Sequence, residues 1–435
     1  MRYAAAFAAS LPEGPIVIGR DGRESGPMLA AAIASVLQGL GRDVLDCGVA
    51  ATPTVGIMVR EHRAAGGIQI SASHNPAQYN GIKLFSAAGR VLPAAAGAAV
   101  KERFEQLAAP ISGAAGGPPA GRRQGTLRPI DGVPAHVRLV AATIDVERIR
   151  RHAPRVWLDS GHGAGSLVAR PLLEQLGCTV TIEGETPDGR FEHEPEPTAT
   201  NLGGLLPRIA AAGADVGFFQ DPDADRLAIA TADGRYIGEE CTLALAVEHV
   251  LAKTRGPIVI NCSTSLMAAL IAARHDAACH VSAVGEANVV DRMLAERAVL
   301  GGEGNGGVID PRVGLVRDSF SAMALVLDMM CAGAALRPLD ELARALPQLV
   351  MKKTKVDLEP GSSAASLAAA LERIERAFPT TRASRLDGLR LDWEGGWLLV
   401  RASNTEPIVR IVAEAADAAA VDEAIARATT ALLAG

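Results

Sequence analysis

Short β-branched runs alternate with helical apolar periods along most of the chain. Three segments share one plan. The first has Ile16-Val17-Ile18, a polar turn Gly19-Arg20-Asp21-Gly22-Arg23, and then Met28, Leu29, Ile33, Val36, Leu37 and Leu40 at helical spacing. The second runs from Val156-Trp157-Leu158 through a turn at Asp159 to Gly165 into a helix from about Ser166. The third runs from Ile258-Val259-Ile260 through Asn261-Cys262-Ser263-Thr264 into a helix from about Leu266. Strand, turn and helix repeated in this order predict parallel α/β layers. After about Lys352 the order changes to α+β. A helix is expected near Ser366 to Phe378, strands near Leu389 to Leu391, Trp397 to Arg401 and Ile408 to Val412, then a terminal helix. A Gly-, Pro- and Ala-rich stretch from Ala108 to Gln124 reads as a surface connection. Four units are expected: 1–136, 137–238 and 239–352 as α/β domains, and 353–435 as a smaller α+β domain.

Composition narrows the class of protein. With 435 residues, 49% hydrophobic and 21% charged, the chain can bury several cores. The net charge of −6 and the lack of a basic run argue against nucleic acid as a partner. An anionic ligand must then be held by local positive charge. Six cysteines are scattered with no Cys-x-x-Cys pair, which predicts reduced thiols in a cytoplasmic protein. The apolar stretch Ala4 to Ser10 is too short for a signal peptide, and no run reaches transmembrane length, so no membrane partner is expected.

Four segments carry candidate chemistry. Ser71-Ala72-Ser73-His74-Asn75-Pro76 follows the strand Gly67 to Ile70 and continues to Asn80-Gly81-Ile82-Lys83. A hydroxyl, an imidazole and an amide on such an exposed loop can present a nucleophile, though a turn bonding only its own backbone uses the same residues. Asp221-Pro222-Asp223-Ala224-Asp225-Arg226 sets three carboxylates at alternate positions, where a turn can bring them onto one hard cation. An EF-hand is excluded, because Arg226 stands where that loop needs Gly and Ala232 where it needs Glu. Few protein ligands suit Mg²⁺. Gly301-Gly302-Glu303-Gly304-Asn305-Gly306-Gly307 leaves room for a ligand, with Glu303 and Asn305 able to pair with hydroxyls. Arg401-Ala402-Ser403-Asn404-Thr405-Glu406-Pro407, with Arg410 beyond it, offers the donors a phosphate dianion needs. Four such loops from four units make sense around one shared cleft.

In these motifs and their order the chain resembles the α-D-phosphohexomutase family nearly end to end. The resemblance implies a heart-shaped, four-domain fold around a central cleft. It makes Ser73 the phosphoserine, with Asp221, Asp223 and Asp225 holding Mg²⁺ together with a phosphoserine oxygen. Arg226 would touch the serine's phosphate. Glu303 and Asn305 would bind the sugar, and Arg401, Ser403, Asn404, Thr405 and Arg410 the distal phosphate. Four departures stand out. Pro222 replaces the usual Gly. Asn305 stands where many members have Ser. Gly307 stands where many have His, which leaves His74 and Lys83 as the candidate acid–base groups. Only fourteen residues precede Pro15, so the family's Gly-x-x-Gly-x-Arg-Gly segment, whose Arg supports the serine loop, is expected to be missing, which suggests a shortened chain, a mis-set start or a weakened site.

The implied activity converts hexose 6-phosphate and hexose 1-phosphate through a hexose 1,6-bisphosphate, which also serves as activator. Val284-Gly285-Glu286-Ala287-Asn288 and the Glu303–Gly307 loop look most like phosphoglucosamine mutases, with phosphomannomutase/phosphoglucomutase as runner-up. The alternative from another class is a non-catalytic sugar-phosphate-binding protein. A monomer or homodimer is expected.

Overall fold

The computed structural model describes residues 1–108, 123–357, 364–402 and 408–434. Most of the Ala108–Gln124 connection, and Ser403, Asn404 and Thr405 of the phosphate loop, lie outside the described residues.

The three expected α/β units form three mixed sheets. In the first, β1 (Ile16–Arg20), β2 (Val44–Val49), β3 (Gly66–Ile70), β4 (Ile82–Ser86) and β5 (Leu127–Pro129) lie in the order β4-β3-β1-β2-β5. The second comprises β6 (Arg155–Asp159), β7 (Thr179–Glu183), β8 (Val216–Gln220) and β9 (Leu227–Thr231), in the order β7-β6-β8-β9. The third comprises β10 (Ile258–Asn261), β11 (Cys279–Ser282), β12 (Leu300–Glu303) and β13 (Gly307–Ile309), in the order β11-β10-β12-β13. Strands such as β3 and β8 are buried at every position, so both faces are covered and the sequence reads as a continuous apolar run. The helices Gly26–Gly39, Ser166–Gln175 and Leu266–Arg274 follow where the helical spacing places them.

One strand in each sheet departs from the parallel expectation. β4, β9 and β13 pair antiparallel with β3, β8 and β12. The connections, 71–81, 221–226 and 304–306, are too short for a helical crossover, so the chain turns back on itself. Those three hairpin loops are the serine, metal and sugar loops. One topological position, repeated three times, aims all three chemistries from the carboxyl end of a buried strand.

The fourth unit is a fully antiparallel sheet in the order β14-β18-β17-β16-β15: β14 (Val350–Asp357), β15 (Arg382–Ser384), β16 (Leu389–Trp393), β17 (Gly396–Ala402) and β18 (Ile408–Ala415). It keeps its own core of Leu389, Leu391, Leu398, Val400 and Ile411. The first three units instead share one core, running through Val55, Phe85, Leu158, Phe218, Leu243 and Phe320. A small cluster of Cys262, Trp397, Leu399 and Val412 joins the fourth unit to the third. Glu414 adds a polar tie, accepting Leu266 N at 2.7 Å and Trp397 Nε1 at 2.8 Å. The amino-terminal apolar stretch is a core helix, Arg2–Ser10, that buries Ala4, Ala6, Phe7 and Ala8.

Candidate active site

The serine loop is pinned by one arginine. Arg23, at the end of the first polar turn, is 1% exposed and pairs with Asp21 at 3.0 Å. Its Nη2 donates to Ser73 O and Asn75 O, each at 2.6 Å, and its Nη1 to Pro76 O at 2.6 Å and Tyr79 O at 2.9 Å. Four carbonyls on one guanidinium leave the loop little freedom, and Phe191 from the second unit covers that guanidinium at 5.0 Å. Support for this loop, which the resemblance assigned to another segment, comes here from Arg23. Asp21 extends it: Ser71 Oγ donates to Asp21 at 2.7 Å, and Ser73 N donates to Ser71 Oγ at 2.9 Å.

The loop is exposed at Asn75 and from Ala77 to Tyr79, as its polar residues suggested, but Ser73 itself is buried. It is 8% exposed, because the metal loop closes over it. Its Oγ donates to Asp221 Oδ2 at 2.9 Å. Its backbone φ is +50°, a left-handed conformation in which a non-glycine residue is strained.

Asp221, Asp223 and Asp225 are fully buried, and one carboxylate oxygen of each lies within 4.8 Å of the others. Each carboxylate has one oxygen held by the protein. Asp221 Oδ1 accepts the backbone N–H groups of Asp225 and Arg226, both at 3.1 Å. Asp223 Oδ2 accepts Thr52 Oγ1 and Lys83 Nζ. Asp225 Oδ2 accepts Lys83 Nζ at 2.7 Å and Arg317 Nη2 at 2.6 Å. Among the described residues, Asp223 Oδ1 and Asp225 Oδ1 have no hydrogen-bond partner, and Asp221 Oδ2 has Ser73 alone. Buried carboxylate oxygens left unpaired beside one another are costly unless a cation takes them. The donor set, all hard oxygen, fits Mg²⁺. Burial raises the Asp221 carboxyl, and Asp225 and Asp223 add to it. Burial acts the same way on Asp225, but Arg317, Lys83 and Arg226 outweigh it and hold that carboxyl well below its ordinary value.

The two acid–base candidates differ. Burial works against the charge on Lys83, but Asp223 and Asp225 outweigh it, so its ammonium holds its proton above the ordinary lysine range. Lys83 is a fixed cation. Burial, with Arg226 nearby, pushes His74 down to about 4, so its imidazole is neutral at pH 7. His74 Nε2 lies 3.8 Å from Glu196 Oε1.

A cleft of about 680 Å³ opens beside these groups, lined from all four units by His74, Arg226, Glu303, Asn305, Arg401 and Arg410 among others. Arg226 Nε, 3.8 Å from Asp225 and 4.0 Å from Asp221, has no hydrogen-bond acceptor, so it keeps a donor for an anion. Glu303 is only 4% exposed: its Oε1 takes Asn261 Nδ2 at 2.8 Å and Gly285 N at 3.0 Å, and its Oε2 takes Arg317 at 2.7 Å. Three protein donors leave this carboxylate about one acceptor site for a ligand. Asn305 Oδ1 is buried and unpaired.

Arg401 and Arg410 face one another across β17 and β18, and Lys355 faces Arg410 across β14 and β18. Asp387, 3.4 Å from Arg401 Nε, offsets part of this row of positive charge, which still favours an anion over it. Lys355 and Lys353 both line the cleft. Deeper in, Glu240 sets an oxygen where a Cβ on Gly304 would lie 1.8 Å away, so a side chain at position 304 would displace the Glu240 carboxyl. Burial pushes the Glu240 carboxyl up to about 8, and its Oε1 makes no hydrogen bond.

Arg23, Arg317, Lys355 and Glu240 were not singled out from the sequence. Arg23 sat in a turn that was noted only as a turn. Lys353 and Lys355, two apart in a strand, were a readable signal for one charged face. Arg317 gave none, because its partners come from three distant segments.

A serine-bearing loop against a buried cluster of three carboxylates, opposite a row of basic side chains, is an arrangement suited to phosphoryl transfer. The chain belongs to the phosphoglucomutase/phosphomannomutase family. Residues 1–110, 134–234 and 239–350 match that family's α/β/α domains I, II and III, and residues 354–431 its C-terminal domain. A phosphoglucomutase/phosphomannomutase of Thermococcus kodakarensis is 37% identical over 92% of this chain and 86% of its own. A probable phosphoglucosamine mutase of the same organism is 32% identical over 95% and 90%. In fold, the crystal structure of a family protein from Burkholderia thailandensis superposes with a TM-score of 0.84 over 99% of this chain and 92% of that one, at 24% identity. The protein is accordingly a phosphohexomutase, an isomerase that moves a phosphoryl group within its substrate, and the non-catalytic alternative falls away. No helix among the described residues is long and apolar enough to cross a membrane.

Proposed function

We propose that the protein interconverts hexose 6-phosphate and hexose 1-phosphate through a phosphorylated Ser73. The observation that carries this reading is Ser73 Oγ, 2.9 Å from Asp221 at the head of three carboxylates with unpaired oxygens. Asp221, Asp223, Asp225 and an oxygen on Ser73 would hold Mg²⁺. Bound there, the ion supplies Lewis-acid stabilisation of negative charge on a phosphoryl group.

The chain's own residues do the rest. Arg23 holds the serine loop still, so Ser73 Oγ faces the cluster. Arg226 turns its spare donors to the transferring phosphoryl oxygens. As the Ser73 oxygen–phosphorus bond breaks, a bond forms from phosphorus to the free hydroxyl of the sugar monophosphate, and His74, neutral at pH 7, relays the hydroxyl proton to the departing Ser73 oxygen. The product is a hexose bisphosphate, which turns over in the cleft and returns its other phosphoryl group to Ser73. Added bisphosphate acts as activator by rephosphorylating Ser73. Glu303 and Asn305 hold the sugar hydroxyls. Arg401, Arg410 and Lys355 hold whichever phosphate is distal, with Ser403, Asn404 and Thr405 completing that set. Lys83 keeps Asp223 and Asp225 in place.

For the sugar we favour glucose and mannose phosphates. The motif Val284 to Asn288, which had pointed to glucosamine, is used internally: Val284 N donates to Asp387, Gly285 N to Glu303, and Glu286 accepts Arg317. Glucosamine phosphate stands second: Glu239 lines the cleft, where an ammonium group would compete for it with Lys353, 2.6 Å away. A mutase assay across the 1-phosphates of glucose, mannose and glucosamine, with bisphosphate activator, decides. Glucose and mannose are expected to give the higher kcat/KM. Turnover of none of the three would sink the mutase reading for this site.

A further inference from the structure

Arg317 stands between the metal loop and the sugar loop. Its three guanidinium nitrogens donate to carboxylates from three segments: Nη2 to Asp225 at 2.6 Å, Nη1 to Glu303 at 2.7 Å and Nε to Glu286 at 3.2 Å. The side chain is 9% exposed. Its path is cleared by a glycine. A Cβ on Gly307 would lie 2.3 Å from Arg317 Cδ and 3.0 Å from its Cγ. The stem of Arg317 thus fills the space that any side chain at position 307 would need.

Both carboxylates at the ends of this fork have ligand work to do. Asp225 gives Oδ2 to Arg317 and keeps Oδ1 unpaired toward the cluster. Glu303 gives Oε2 to Arg317 and Oε1 to Asn261 and Gly285, so its orientation, and its last acceptor site, are fixed by the same guanidinium. A guanidinium is planar and rigid, so turning one end of the fork turns the other. A lysine could carry the charge but not hold three acceptors in one plane.

We infer that Arg317 is a positioning residue that couples the two sites, so that a divalent cation on the Asp221–Asp225 loop and a sugar phosphate at Glu303 each tighten the binding of the other. Either ligand fixes one end of the fork and removes part of the ordering that the second ligand would otherwise require. Linkage makes the effect reciprocal. The inference rests on the mutase reading only for the chemical class of the second ligand.

The test is calorimetric titration of Mg²⁺ into the unphosphorylated full-length protein, alone and with saturating glucose, mannose or glucosamine 6-phosphate. Without phosphoserine the protein cannot turn these over, so binding is read directly. In the wild type, the sugar phosphate that binds should tighten Mg²⁺ about fivefold or more. In Arg317→Gln and Arg317→Lys that ratio should fall below about twofold, by the same linkage. Gly307→Ala removes no charge and should lower the ratio too, by displacing the arginine stem. This variant keeps the test decisive should Arg317→Gln fail to fold. A wild-type ratio retained in a folded Arg317 variant overturns the inference and leaves the mutase reading standing, as does independent binding of the two ligands to the wild type. A wild type that binds none of the three sugar phosphates overturns both.

Discussion

The two ends of the cleft are built on opposite principles. At the Asp221–Asp225 end, the three carboxylates are fully buried and each is already paired in part, by Lys83, Arg317, backbone N–H groups and Thr52. That end sits in the core shared by the first three units. At the other end, Lys355, Arg410 and Arg401 lie side by side across three strands of a domain with its own core and a small contact to the rest. A paired, buried centre is pre-organised for the atoms that react. A row of like charges on a separately folded domain, with Arg401 also 3.4 Å from Asp387, favours an anion over it, and such a domain can move with its ligand. On the proposed mechanism, chemistry and substrate exchange thus fall to different parts of the molecule.

Breaking the buried end should cost most. Asp223→Asn removes one unpaired oxygen and half of the Lys83 pairing. Mg²⁺ affinity should fall about a hundredfold, since the charge and number of ligands set the affinity of such a site. Turnover should fall with it and recover in part at high Mg²⁺. Wild-type turnover persisting in excess chelator would show that these carboxylates serve no cation.

Breaking the exposed end should cost less and in a different parameter. Arg401→Ala should raise KM for hexose phosphate about ten- to a hundredfold, the loss of one charge-assisted bond of roughly 1.5–3 kcal/mol. Lys355→Ala should raise KM about three- to tenfold, as a monodentate cation at the edge of the row. Mg²⁺ affinity should not change in either. A shift in Mg²⁺ affinity equal to the shift in KM would erase the distinction between the two ends.

The smallest effect concerns Glu240, between them. Its folded-state carboxyl is raised to about 8 from an ordinary value of 4.5. A raised acid favours folding at low pH, and that contribution is lost as pH climbs from 4.5 through 8. Glu240→Gln mimics the protonated form. At pH 9 the variant should therefore be more stable than the wild type by about 1–3 kcal/mol, and at pH 4 nearly equal. Thermal midpoints at the two pH values check this. A variant less stable at pH 9 would mean the ionised carboxylate is needed by its neighbours.

The same contrast explains what the sequence revealed. Ile16-Val17-Ile18, Val156-Trp157-Leu158 and Ile258-Val259-Ile260 were readable as strands because burial on both faces leaves an unbroken apolar run. The serine, metal and sugar loops were readable because each packs its chemistry into a few consecutive residues. The antiparallel return of β4, β9 and β13 was not anticipated, since loop length and not strand composition dictates it. Ser73 was taken as exposed because its cover comes from a loop that lies 148 residues further along the chain. Arg317 reaches Asp225 across 92 residues, and no local pattern announces such a contact. Arg23, 50 residues before Ser73, stood inside a noted turn, but its four carbonyl partners appear only when β1 and β3 are laid side by side.

The central claim is that Ser73 carries the phosphoryl group between sugars. Intact-mass and peptide mapping, after brief exposure to glucose 1,6-bisphosphate and Mg²⁺, measure it most directly. The account predicts one phosphate on the peptide bearing Ser73, its absence from Ser73→Ala, and its loss on adding glucose 6-phosphate with hexose bisphosphate appearing in equal amount. A phosphate mapped to any other residue, or a Ser73 phosphate that only hydrolyses to inorganic phosphate when the sugar is added, would contradict it.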